Sequence, residues 1–188
     1  MEGGNLLEWL KKEGDNAQSK QLLRFCDGIA KGLYHLHEEG VVHRDLASRN
    51  VLLKESDEEG YEAVITDFGM SRIVSQEENN VYISSSRLGA AKWMAPESIL
   101  NAVYSAKSDV WSYGCVMVEI YDRGRLYADG PDRVTIGMQV RDGKLKPTTP
   151  SKMPNELSTI ANECFAFNSD QRPTMQTVIQ KLRQANQQ

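Results

Sequence analysis

The chain has 188 residues, of which 40% are hydrophobic and 26% are charged, and its net charge is -4 with an isoelectric point near 5.5. This length predicts one domain, or one lobe of a larger domain, with enough apolar side chains to bury a core. The acidic balance argues against a nucleic-acid partner. No apolar run approaches the ~20 residues that span a bilayer, so we expect no membrane segment within this sequence.

Apolar residues at helical spacing predict two helices in the N-terminal part of the chain. The first runs over residues 5–12, with Asn5 as its N-cap. The second is longer, over residues 17–38, and Gly40 ends it.

A small β-hairpin is predicted next. Short apolar runs lie at residues 41–42, 51–53 and 63–65, and the last two pair as the hairpin. The acidic connector between them, residues 54–62, is predicted to be a solvated loop. Residues 67–97 show no convincing periodicity, and loops of this length are usually functional or disordered.

The C-terminal half is again predicted to be helical. Its first helix is apolar on nearly all sides, which is typical of a buried helix. Pro173 is expected in the first turn of the last helix, where its missing N–H costs nothing. The four predicted helices span residues 108–120, 132–142, 156–167 and 173–185.

Three cysteines, Cys26, Cys115 and Cys164, are widely spaced along the chain. No pair of them has the spacing of zinc ligands. The ordinary interpretation is three free thiols in a reducing compartment, which predicts a cytoplasmic location.

Two short segments carry the chemistry. Residues 43–50 read His-Arg-Asp-Leu-Ala-Ser-Arg-Asn and residues 67–69 read Asp-Phe-Gly, so Asp45, Asn50 and Asp67 lie in loops that flank the predicted hairpin. Phosphoryl transfer needs such a set, with one carboxylate beside the attacking hydroxyl and oxygen ligands that hold Mg²⁺ against nucleotide phosphates. Each of the three could instead be a turn-forming residue.

The two segments resemble the protein kinase family, whose signatures are H-R-D-L-x-x-x-N and D-F-G. Residues 95–97 and 109–114 resemble the same family, and the resemblance covers essentially the whole chain. It implies the large lobe of the kinase fold, mainly α with a small β-hairpin, over residues 1–188. Within it, residues 43–50 form the catalytic loop and residues 67–97 the activation segment.

The N-terminal small lobe is expected to be absent. The sequence contains neither a G-x-G-x-x-G loop nor a V-A-I-K strand, and those parts hold the nucleotide phosphates in working kinases. The polypeptide alone is therefore expected to have negligible kinase activity.

The resemblance also implies a role for each site residue. Asp45 is the expected catalytic base, and Arg49 is the basic residue that follows it in the catalytic loop. Asn50 and Asp67 are expected to hold Mg²⁺ against ATP, which makes both residues cofactor contacts. Leu52 is expected to lie under the adenine.

Five further residues are expected to be structural. In the family, His43 and Phe68 stack in a hydrophobic column, and Glu97 and Arg172 form a buried ion pair. Asp109 resembles the buried aspartate that fixes the backbone of the catalytic loop, although it could also be the N-cap of its helix.

Regulatory phosphorylation is a further expectation. In family members that are switched on in this way, Arg44 and Arg72 occupy the positions that meet a phosphate on the activation segment. Tyr82 or residues 84–86, which are all serine, could carry that phosphate. An unmodified surface tyrosine remains the alternative.

The chain favours tyrosine as the substrate hydroxyl. Serine/threonine kinases usually carry a lysine two residues after the catalytic aspartate, whereas this chain has Ala47 there and Arg49 later, as tyrosine kinases do. Ala90 matches neither the proline that tyrosine kinases commonly have at this position nor the threonine of serine/threonine kinases. Serine/threonine or dual specificity of a tyrosine kinase-like enzyme therefore stays open. Two functions of a different kind also stay open, namely a non-catalytic lobe that docks partners through the helix after Pro131 and a different ATP-using enzyme.

Overall fold

The computed structural model describes residues 3–56, 60–67, 72–73, 91–128 and 130–187, with only the backbone described at 72–73. This part of the chain is mainly helical with a small hairpin, as predicted. Its α-helices are α1 Leu6–Glu13, α2 Ser19–Glu38, α3 Pro96–Asn101, α4 Ala106–Tyr121, α5 Arg133–Arg141, α6 Asn155–Cys164 and α7 Met175–Ala185. Its strands are β1 Val41–Val42, β2 Val51–Glu55, β3 Tyr61–Ile65 and β4 Arg72–Ile73.

Polar side chains fix where the helices begin. Asn5 Oδ1 accepts a hydrogen bond from the Glu8 N–H at 2.9 Å, which confirms the predicted cap of α1. The cap of α4 is Ser105, whose hydroxyl accepts from two N–H groups of the first turn. The helix therefore starts before residue 108, and the prediction of Asp109 as a possible N-cap is wrong.

Two boundaries in the C-terminal half also differ from prediction. Thr174 caps α7 by accepting from the Thr177 N–H, so Pro173 precedes the helix instead of lying in its first turn. The preceding helix, α6, stops at Cys164 and not at residue 167. It stops there because the carbonyls that follow turn toward a buried guanidinium, that of Arg172.

The core is built around α4, in which every residue from Ser108 to Tyr121 is buried. It packs against α2 and α6. A Cβ on Gly114 would lie 2.8 Å from the Phe165 ring and 2.9 Å from the Cys164 Cβ. Glycine is therefore required at this crossing, because any side chain would push α6 away from the centre of the core.

The predicted hairpin of β2 and β3 is confirmed, and it is longer than expected. Its antiparallel register pairs Val51 with Ile65 and Glu55 with Tyr61. Both ends of the acidic connector therefore belong to the strands. The hairpin packs on α2, whose Gly28 lets the strand β3 approach the helix closely.

A second ladder was not predicted. The strand β1 pairs antiparallel with β4, with Val41 opposite Ile73. Two-residue strands are too short to give a periodic signal in the sequence. The pairing brings the chain after Asp67 back beside the start of the catalytic loop.

All three cysteines are free, as predicted, and the structure shows that all three are buried. Burial raises the pKa of the thiols of Cys26 and Cys164 to about 12, and raises that of Cys115 well above its ordinary value. Separately, no helix within the described residues is both long and apolar enough to cross a bilayer.

Candidate active site

Asp109 holds the start of the loop that joins β1 to β2. This carboxylate is 1% exposed and accepts from the His43 N–H at 2.8 Å and from the Arg44 N–H at 3.0 Å. Arg44 has a left-handed backbone, with φ of 72°, which is costly for a residue other than glycine. The two hydrogen bonds to the buried carboxylate hold the loop in that conformation.

His37 is part of this anchor, although no sequence pattern indicated it. Its Nε2 donates to Asp109 Oδ2 at 3.0 Å, and its side chain is 10% exposed. The last turn of α2 is thereby joined to the same carboxylate that holds the loop.

His43 is structural, in agreement with prediction. It is fully buried, its Nδ1 accepts from the Asp45 N–H at 3.3 Å, and its Nε2 lies 3.0 Å from the Thr66 carbonyl. One ring nitrogen therefore accepts while the other donates, which describes a neutral imidazole. The expected stacking partner, Phe68, lies outside the described residues.

Asp45 is the centre of a small polar cluster. Arg49 donates to its Oδ1 at 2.6 Å, and the side-chain nitrogen of Asn50 donates to its Oδ2 at 2.9 Å and to its carbonyl at 2.7 Å. The side chain of Asp45 remains 20% exposed. A carboxylate held by two donors and still open to solvent can accept a proton from an incoming hydroxyl.

The end of β3 lies beside this cluster. The Thr66 N–H and hydroxyl both donate to the Asn50 carbonyl, at 2.9 and 3.1 Å. Asp67 follows directly, is exposed, and has a left-handed backbone with φ of 61°. The structure therefore brings the backbones of the two predicted metal ligands, Asn50 and Asp67, together.

The donor set fits Mg²⁺ that arrives with a nucleotide. Because the side-chain nitrogen of Asn50 donates to Asp45, the side-chain oxygen of Asn50, Oδ1, is the atom left to face another ligand. Asp67 adds a carboxylate. The described residues contain no group of three or more His, Cys, Asp and Glu side chains that could hold a metal alone. Mg²⁺ usually takes one or two protein ligands of this kind and completes its shell with phosphates and water.

Leu52 is the second residue of β2 and is half-buried between two buried neighbours. Residues 3–5 run along this strand, with the Leu53 N–H donating to the Gly4 carbonyl at 2.9 Å. A Cβ on Gly3 would lie 2.8 Å from the Leu53 Cβ, so this close approach depends on glycine. The expected contact of Leu52 with adenine stays a prediction.

Glu119 is a central residue that sequence reasoning missed. It lies in α4 and is fully buried. Its carboxylate accepts from the Ser48 N–H at 3.1 Å, the Ser48 hydroxyl at 2.8 Å and the Trp93 indole N–H at 2.9 Å. The Arg49 guanidinium lies over the Trp93 ring, 4.6 Å from its centroid. Glu119 thus joins the catalytic loop to the segment before α3. A carboxylate within the apolar second half of the helix was the available signal.

Burial also changes the acidity of this group. Desolvation raises the pKa of Glu119 from 4.5 to about 6, although the hydrogen bonds from Trp93 and Ser48 and the charge of Arg49 lower it. The folded chain therefore binds this proton more readily than the unfolded chain does.

A pH-dependent stability follows from that shift. For an acid whose folded pKa is raised, the stabilisation is complete below the unfolded value and is lost as the pH rises through the folded value. As the pH rises from 4.5 to about 6, we expect Glu119 to lower the free energy of unfolding by roughly 2 kcal/mol. Urea unfolding at a series of pH values across this range measures the free energy of unfolding. Glu119→Gln should remove the contribution of Glu119 to its decrease with pH. The exposed control Glu39→Gln should keep it. An unchanged slope in Glu119→Gln would assign the titration to another group.

The predicted ion pair of Glu97 and Arg172 is confirmed. Two parallel hydrogen bonds of 2.7 and 2.8 Å join them. The side chain of Arg172 is fully buried, donates to the Ala166 and Lys107 carbonyls at 2.9 Å each, and lies over the Trp111 ring. The pair ties α3 to the helical base of the structure.

Several predictions on the activation segment lie outside the described residues. These concern Phe68, the side chain of Arg72, Tyr82, residues 84–86 and Ala90. They therefore stay predictions.

Comparisons with known proteins show the family to which the chain is similar. The family described as "Protein tyrosine and serine/threonine kinase" matches residues 1–182. Tyrosine-protein kinase Fer of Mus musculus is 36% identical over 96% of this chain and 22% of its own length. Mast/stem cell growth factor receptor kita of Danio rerio is 34% identical over 94% of this chain and 18% of its own length.

A probable serine/threonine-protein kinase of Dictyostelium discoideum is 31% identical over 97% of this chain and 11% of its own length. The chain thus spans between 11% and 22% of the length of these relatives. The match extends over nearly the whole sequence. The chain therefore belongs to the family of protein tyrosine and serine/threonine kinases.

Proposed function

We propose that this chain is the catalytic large lobe of an enzyme that transfers the γ-phosphoryl group of ATP to a protein hydroxyl. The observation that carries the proposal is the cluster at Asp45, whose carboxylate is held by Arg49 and Asn50. Thr66 donates to the Asn50 backbone carbonyl, and Asp67 is the residue that follows Thr66 in the chain. A binding lobe without catalysis would have no need of this arrangement.

Each residue then has a defined task. Asp45 orients the substrate hydroxyl and accepts its proton, while Arg49 holds the carboxylate in place through its hydrogen bond. The side-chain oxygen of Asn50 and the carboxylate of Asp67 hold Mg²⁺, which when bound neutralises charge on the phosphates. Leu52 contacts the adenine.

We propose tyrosine as the substrate residue. Ala47 leaves the position two residues after Asp45 without the lysine that serine/threonine kinases carry. The guanidinium of Arg49 pairs with Asp45 and lies over the Trp93 ring, so the basic residue at the carboxylate comes from position 49. Serine/threonine or dual specificity is the alternative, and one relative is a probable serine/threonine-protein kinase.

Regulation and location complete the proposal. A phosphate on Tyr82 or on one of the serines 84–86 would pair with Arg44 and Arg72 and order the activation segment. The buried free thiols support a reducing compartment and hence an intracellular location. ATP and a protein substrate are the proposed partners.

The test uses a chimaeric domain in which the small lobe of the Mus musculus kinase Fer precedes this chain. Such a domain supplies the Gly-rich loop and strand lysine that this sequence lacks. We expect phosphorylation of tyrosine peptides with kcat on the order of 1 s⁻¹, and at least about tenfold lower kcat/KM for matched serine and threonine peptides. The small lobe alone and this chain alone serve as controls and should be inactive.

Each outcome has a definite meaning. Preference for serine or threonine peptides would support the alternative specificity. A chimaera that unfolds cooperatively and binds Mg-ATP yet transfers no phosphate would overturn the catalytic proposal. Ordinary ATP turnover by this chain alone would show that no small lobe is needed.

A further inference from the structure

A basic cleft lies between α2 and α7, away from the catalytic loop. Its volume is about 470 Å³. One face of α2 and the last turns of α7 line it, and these two helices pack together. The lining residues that carry the argument below are Lys20, Leu23, Arg24, Asp27, Lys31 and Arg183.

The charge of the cleft is opposite to that of the whole chain. Among the described residues, four cationic side chains and one carboxylate line it, whereas the chain carries a net charge of -4. The carboxylate, Asp27, pairs with Lys31 at 2.5 Å. Because charges farther apart than about 8 Å are largely screened at physiological salt, a ligand in the cleft responds to these local cations.

We propose that this basic cleft docks an acidic peptide segment of a partner protein. Lys20 and Lys31 lie eleven residues apart on α2, which at about 1.5 Å per residue is roughly 16 Å. An extended peptide of about five residues covers that distance. Its carboxylates meet the cations of the cleft, and Leu23, a half-buried lining residue, offers an apolar contact.

A longer peptide has room to continue. A neighbouring hollow of about 520 Å³ shares Lys20 and Arg24 with the cleft. Its other lining residues include Trp9 and Tyr61, whose rings contact each other edge to face. The second hollow therefore suits an apolar side chain beyond the acidic stretch.

A peptide fits these observations better than an anionic membrane does. The site is concave, and a bilayer surface cannot enter a cleft between two helices. The exposed large apolar side chains among the described residues are Leu100, Val103, Val134, Met138 and Phe167, and none of them lines the cleft. A membrane would find none of these side chains there to insert.

The experiment measures binding to the full 188-residue chain, so it does not depend on catalysis or on the proposed function. The probe is a fluorescein-labelled peptide of about ten residues, rich in glutamate with interspersed leucines, followed by fluorescence anisotropy. We expect measurable binding that weakens at least about threefold when salt rises from roughly 50 to 300 mM. The double variant Lys20→Glu with Arg183→Glu should bind at least about tenfold more weakly.

Matched variants distinguish the effect of the cleft on peptide affinity from the effect of the chain's net charge. Lys144→Glu with Lys152→Glu changes the chain's charge equally at two exposed sites outside the cleft and should leave the affinity unchanged. Asp27→Asn should tighten binding about twofold, because it removes the only carboxylate among the described lining residues.

Three results would overturn the proposal. The first is equal affinity for a peptide with glutamine in place of glutamate, which would show that charge is not recognised. The second is equal weakening by the control variant. The third is cleft-dependent binding to phosphatidylserine vesicles in the absence of peptide binding, which would make the partner a membrane.

Discussion

Asp45→Asn is expected to lower kcat of the chimaeric domain by a factor of about 10²–10⁴ while KM for ATP changes little. A neutral amide cannot accept the proton of the substrate hydroxyl. It also has only one acceptor atom, whereas Arg49 and Asn50 donate to different oxygens of the carboxylate at 2.6 and 2.9 Å. Steady-state kinetics with a tyrosine peptide measure the effect.

The matched control is Asp142→Asn, at an exposed aspartate that pairs with its neighbour Arg141 on the surface. It should leave kcat unchanged. An Asp45→Asn enzyme that keeps kcat within about threefold of the parent would remove Asp45 from the chemistry.

Glu97→Ala is expected to lower the free energy of unfolding by about 3–5 kcal/mol, because it leaves the buried Arg172 guanidinium without its anion. For a chain of this size that corresponds to a fall of roughly 6–20 °C in Tm. Thermal and urea unfolding of the 188-residue chain measure it.

Two further variants show whether the ion pair is the cause. Asp15→Asn breaks an exposed pair with Arg123 and should cost under about 1 kcal/mol. Adding Arg172→Met to Glu97→Ala removes the unpaired charge and should recover part of the loss. A loss from Glu97→Ala no greater than that from Asp15→Asn would contradict the structural role of the pair.

The elements with a strong local pattern could be predicted from sequence. The apolar periodicity of α2, the all-round apolar character of α4 and the polar cap at Asn5 each depend on neighbours in the chain. Boundaries that depend on distant residues could not be predicted. The end of α6 is set by Arg172, and the pairing of β1 with β4 joins strands about thirty residues apart.

The residues of the candidate site also fall into a group that local sequence predicts and a group that depends on distant contacts. Asp45, Asn50 and Asp67 stand in recognisable motifs, so a role in phosphoryl transfer could be predicted for them from the sequence. The supports of the site were not, because Glu119 reaches Ser48 and Trp93 across the core and His37 meets Asp109 from another helix. No local sequence pattern predicts such contacts between residues that are far apart in the chain.

The buried cysteines have a practical consequence for measuring motion in this lobe. The nucleophile in maleimide labelling is the thiolate, and Cys26, Cys115 and Cys164 are both inaccessible and poor acids. A single cysteine placed on the surface would react first. Spectroscopic probes can therefore be attached at a chosen point while the native sequence of the interior is left intact.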